Sequence, residues 1–147
     1  VPTGMGIMVM SHYEVEVFDN IIAENGTGNI LIVSYTKGQN DPNYNPKPIG
    51  VRVFENKHGR AGYKPAFPGG DLLKAAFGGA IPPIIEDGTG ENILIGDDVP
   101  VMTLGLTAPG QPLTEAKPAL VAGAAEPFDG RQLKPVVMPA AMEAAIR

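Results

Sequence analysis

Proline placement constrains this chain more than any other feature. Fifteen prolines are spread over 147 residues, and the longest stretch without one runs from Thr3 to Asp41. A proline inside a helix removes a hydrogen bond and clashes with the preceding turn, at about 3 kcal/mol or more. Seven prolines fall between Pro100 and Pro139, so no long helix fits there. Nineteen glycines add to the punctuation. The chain is expected to consist mostly of strands, turns and extended segments.

Length predicts one domain, and 44% hydrophobic residues suffice for a core. Charged residues make up 18%, and the formal net charge is -5. No apolar run approaches the ~20 residues of a membrane span, so no membrane partner is expected. No basic stripe is present, which argues against nucleic acid. The lack of cysteine removes disulfides, thiolate metal sites, iron–sulfur clusters and thiol nucleophiles, and leaves the redox compartment unreadable. The apolar strip Met5, Ile7, Met8, Val9, Met10 is not expected to be a signal peptide, because no Lys or Arg precedes Lys37.

Strand patterns agree with the prolines. His12 to Phe18 alternates polar and apolar, with Tyr13, Val15 and Val17 on one face. Ile49 to Phe54 does the same, with Val51 and Val53 inward. Ile30 to Tyr35 is a continuous apolar run and reads as a strand covered on both faces. Val99 to Leu106 is similar. One internal echo stands out: Ile21-Ile22-Ala23-Glu24-Asn25-Gly26-Thr27-Gly28-Asn29-Ile30-Leu31-Ile32 recurs as Ile84-Ile85-Glu86-Asp87-Gly88-Thr89-Gly90-Glu91-Asn92-Ile93-Leu94-Ile95. Asn-Gly and Asp-Gly favour tight turns between antiparallel strands, so both units are predicted to be β-hairpins. Two copies are too few for a solenoid.

The expected fold is therefore mainly β. Residues 1–107 would form a small sandwich or barrel-like body built from the two hairpins. Residues 108–147 would form an extended Pro/Ala-rich strap. Two short helices are predicted, at about 71–77 and 139–146. Asp71 would cap the first and Gly78 end it, while Pro139 suits the start of the second. Polar loops fill Lys37 to Pro48 and Glu55 to Gly70.

The chemical inventory is thin. His12 and His58 read as solvated side chains without metal or triad partners. Glu86-Asp87 and Asp97-Asp98 read as Asx turns and solubilising charge, with no EF-hand spacing, although a structural calcium stays open. The two Gly-Thr-Gly turns precede no helix and make no phosphate loop. Ser11 and Ser34 are the only serines and sit in no nucleophile motif. Asn25-Gly26-Thr27 fits a glycosylation acceptor, but the turn already explains it. No catalytic residue, cofactor site or metal site is predicted, and the chain is not expected to be an enzyme.

What remains is contact surface. Met5, Ile7, Met8 and Met10 form one greasy strip. Arg60, Tyr63 and Phe67, with Lys57 and Lys64, form a basic and aromatic loop suited to protein contacts. Leu120, Phe128, Leu133 and Met138 are spaced anchors along the strap, and Met142 and Ile146 lie on its final helix. A helix this short is marginal in water and needs a surface to dock on.

Ile85-Glu86-Asp87-Gly88-Thr89-Gly90, Val101-Met102-Thr103-Leu104-Gly105-Leu106 and the Pro/Gly-punctuated strap after Pro109 together resemble tailed-phage head decoration (capsid cement) proteins. The resemblance covers Ile84 to Met138 and carries over no individual residue roles. It implies a homo-oligomer, commonly a trimer, that sits on the virion capsid surface and clamps the major capsid protein. Three other readings stay open: a different virion or filament subunit such as a tail-tube, fibre or surface-filament protein; a small ligand-binding or carbohydrate-binding β module; and a small β-barrel hydrolase or isomerase using loop carboxylates.

Overall fold

The computed structural model describes residues 2–36, 40–121, 133–135 and 137–146. Strands β1 (Met5–Met10), β2 (Tyr13–Phe18) and β3 (Ile21–Ile22) form one circuit of the chain. Strands β4 (Gly28–Val33), β5 (Ile49–Phe54) and β6 (Lys57–His58) repeat the circuit one layer on. Helix α1 (Gly70–Ala76) follows, then β7 (Ile84–Glu86), β8 (Leu94–Ile95), β9 (Val101–Thr103), β10 (Ala119–Leu120) and helix α2 (Ala140–Ile146).

Strands pair between layers, not within them. The first sheet runs β1-β4-β7-β9-β10, the second β2-β5-β8, and the third β3-β6. Every strand pair is parallel except β9 with β10. The described residues thus wind as stacked coils with three faces. Neither echo unit is a hairpin. The first turns from β3 in the third sheet to β4 in the first. The second turns from β7 in the first sheet to β8 in the second. A two-residue hairpin of the Asn-Gly kind requires positive φ at both central residues. Asn25, Gly26 and Gly28 all lack it, and in the second unit Gly88 has it while Asp87 does not. The chain therefore rounds a corner instead of reversing. The predicted sandwich or barrel of two hairpins gives way to a parallel stack carrying two short helices.

Apolar ladders explain why the layers stack. Ile7, Ile30, Ile84 and Val101 stand in register across four strands of the first sheet and point inward. Val17, Val53 and Ile95 do the same in the second. Phe18 stacks on Phe54, with centroids 5.1 Å apart and planes 9° from parallel. Aligned β-branched residues suit such a pleated surface. A second ladder, Met8, Leu31, Ile85 and Met102, lies on the outer face of the first sheet and packs with Phe67, Leu73 and Phe77. β4 is thus covered on both faces, as its unbroken apolar run implies.

Other details depart from the sequence reading. Helix α1 starts at Gly70, and Asp71 lies in its first turn without capping it; the N-cap is Gly69. The strand expected over Val99 to Leu106 shrinks to Val101–Thr103. The segment from Glu55 contributes β6 to the stack and is not wholly loop. No helix among the described residues is long and apolar enough to cross a membrane.

Candidate interaction cleft

Two features of the stack concentrate polar groups or open apolar surface. The first is a polar corner. Asn20, Asn56 and Asp97 occupy the same place in successive coils, just after β2, β5 and β8. Asn20 Nδ2 donates to Asn56 Oδ1 at 2.9 Å, and Asn56 Nδ2 donates to Asp97 Oδ2 at 2.9 Å. Each asparagine also donates to the carbonyl two residues before it, Phe18 or Phe54. His58 joins this ladder: its Nε2 lies 2.8 Å from Asp97 Oδ2, with the two side chains 2% and 1% exposed. On its other side Asn29 Nδ2 lies 3.2 Å from His58 Nδ1 and also donates to the Ile22 carbonyl. Asn29 Oδ1 accepts from Asn25 Nδ2, which fixes the orientation of that amide. His58 is therefore a buried structural residue, not the solvated side chain expected. The strand β6 carries it inward beside Ile22, where an unpaired ring would be costly. His12 stays exposed and contacts the Met10 carbonyl through Nδ1.

This corner resembles a catalytic dyad in composition only. Both residues of the pair are sealed from solvent and saturated by amides of the stack. Among the described residues no group of three or more His, Asp or Glu is placed to hold a metal ion.

The second feature is a cleft of about 540 Å³ on the outer face of the first sheet. Its floor is the outer ladder, through Met8, Leu31 and Ile85. One wall comes from Phe67 and α1, the other from the segment after β9, through Leu106, Gly110, Leu113 and Ala116. The prolines that prevent a long helix after Pro100 let this segment run across the sheet, pinned where Lys117 N donates to the Leu104 carbonyl. Just past the ends of β4 and β7 lies Asp87, buried and in no ion pair among the described residues. Its Oδ2 accepts from Ser34 N at 2.7 Å and Ser34 Oγ at 2.8 Å. Its Oδ1 accepts from Thr89 N and Thr89 Oγ1, both at 2.8 Å. Four donors substitute for a counter-ion. The Asx turn foreseen here is real, but the carboxylate is a buried tie between two coils, not surface charge.

The predicted contact residues divide. Met5, Met8, Met10 and Phe67 come together around the cleft. Ile7 turns inward to the coil interior instead, because neighbours on a strand alternate faces. Arg60 stacks on Tyr63 at 3.8 Å and lies 3.6 Å from Glu24, on an exposed edge away from the cleft lining. Leu120 sits in β10, exposed. The backbone N–H of Leu133 donates to Glu16 Oε1 at 2.9 Å. Met138 and Met142 are exposed, and Ile146 ends α2. Phe128 lies outside the described residues. The sequence reading missed Leu31, Ile85, Asp87 and the Leu106–Ala116 wall as cleft residues. Period-two patterning marks the strands, but only the parallel register shows which outward positions line up.

No protein-family model, curated protein or solved structure matches the chain.

Proposed function

We propose that the protein is a non-catalytic structural subunit that assembles with copies of itself through its apolar C-terminal segment. The observation behind this is the exposure of that segment: Val137 is 79% exposed, with Met138 and Met142 beside it, on or next to a seven-residue helix. A helix of that length needs a docking surface to persist, and closed symmetric oligomers are the common outcome of such contacts. The resemblance to head decoration proteins gives this reading its most specific form: a trimer on a virion surface, clamping the major capsid protein. A filament subunit is the open-ended form of the same idea.

Light scattering across a concentration series tests it. The expected result is a discrete oligomer that dissociates when Val137, Met138 and Met142 are all changed to Ser, with the far-ultraviolet circular dichroism unchanged. An open-ended mass distribution would assign the filament form. A monomer at every concentration, or a triple variant that assembles like the parent, overturns the reading.

A second reading, a small-ligand-binding β module, is favoured by one observation, the cleft. Its volume lies within the range of about 300–1,000 Å³ occupied by ligand sites, and its lining is predominantly apolar with a few polar groups.

A further inference from the structure

Resting on the ligand-binding reading, we infer that the cleft takes an uncharged amphiphile: an aliphatic or fused-ring body with a hydroxyl or carbonyl head. Three observations carry the chemical class. The first is polarity along the cleft. Ser34, Thr36 and Asp87 lie past the C-terminal ends of β4 and β7, and a Cβ at Gly110 would sit 3.3 Å from Thr36 Oγ1, which brings Gln111 to the same end. The opposite end, at the start of β1, is lined by Met5 and Phe67, and the hydroxyl of Thr27 there is spent on the Thr3 carbonyl and the Ala66 N–H. A ligand with a single polar head and an apolar body matches that gradient.

The second observation is charge. Among the described residues Asp87 is the one acidic side chain in the lining, and no Lys, Arg or His lines the cleft. An anionic head would meet a buried carboxylate with no cation to offset it. The four donors around Asp87 are already committed, and Gln111 is held by Thr107 and Glu115, so the head is met by the Thr36 hydroxyl and the lone pairs of Ser34 Oγ.

The third is Leu72 on α1, which lines the cleft although it is 79% exposed. Leu73 and Phe77 anchor the helix on the outer ladder, whereas Leu72 stands over the opening. An occupant would cover it, and burying one leucine favours binding by about tenfold or more.

The test is displacement of the neutral fluorophore N-phenylnaphthylamine from the intact protein by decanol and by decanoate. The expected result is saturable fluorophore binding, displaced by decanol at a concentration at least about tenfold below that needed with decanoate. Ala116→Trp, which fills the cleft from a half-buried position at the end of the Leu113–Glu115 turn, should abolish binding with an unchanged melting temperature. Leu72→Ser should weaken it about tenfold, also without loss of stability, because the leucine is solvated in the free protein. If the fluorophore fails to bind, the ligand-binding reading falls with the inference. If decanoate competes as well as decanol, the site stands and the uncharged class is wrong. If Ala116→Trp binds like the parent, the ligand lies elsewhere and the cleft assignment is overturned.

Discussion

The two Gly-Thr-Gly corners share nearly the same sequence and do different work. At the first, the buried polar residue follows the turn: Asn29 reaches back to the Ile22 carbonyl and across to His58. At the second, it opens the turn: Asp87 binds Ser34 in the coil below and Thr89 in its own. The matching partners are placed oppositely. Asn92, the echo of Asn29, is exposed with φ 54°, and Asn25, the echo of Asp87, ties to Asn29. Structural register pairs Ile30 with Ile84, not with Ile93 as the echo would have it. The similarity is a shared way of rounding a corner with small and Asx residues, not a duplicated unit.

Substitutions at matched positions can break this contrast, beginning with the largest effect. Asp87→Ala should cost about 3 kcal/mol in urea unfolding, since it strands the buried N–H groups of Ser34 and Thr89. A loss below about 1 kcal/mol would mean that water replaces the carboxylate and the tie between coils is dispensable. Gly88→Ala should cost about 2 kcal/mol, because Gly88 has φ +94° and a Cβ there would meet the Leu106 carbonyl oxygen at 2.6 Å. Gly26→Ala, with ordinary φ and 3.1 Å to the Lys64 oxygen, should cost less than about half of that. Equal losses in thermal unfolding would show that the two corners are equivalent after all.

The two asparagines give a sharper test, because the signs differ. Asn29→Ala should lose about 2 kcal/mol and Asn29→Gly at least as much, since both remove a buried amide that three groups depend on. Asn92→Ala should lose only about 1 kcal/mol, and Asn92→Gly should be neutral or stabilising, because only the left-handed backbone is at stake. Were Asn92→Gly as damaging as Asn29→Gly, the echo would be a true structural repeat.

Much of the strand content was legible. Val15 and Val17, Val51 and Val53, and the unbroken run from Ile30 carry the periodicities that the structure realises. Helix α2 begins where Pro139 suggests. The cleft was half legible: Met5, Met8, Met10 and Phe67 were picked out as a contact surface, but as separate patches. His58 was misread, because a Lys-His-Gly-Arg setting looks solvated until β6 is laid against β3 and Asp97 comes round from the next coil.

The sequence by itself determined that this chain would be extended, turn-rich and apolar along its strands, since proline geometry and side-chain alternation act on neighbouring residues. Tertiary structure alone decided that the strands would stack in parallel instead of folding back. Parallel and antiparallel partners present the same alternation to a single strand. The choice rests on ladders such as Ile7, Ile30, Ile84 and Val101, and Asn20, Asn56 and Asp97, whose members lie 17 to 54 positions apart and become neighbours only when whole coils align.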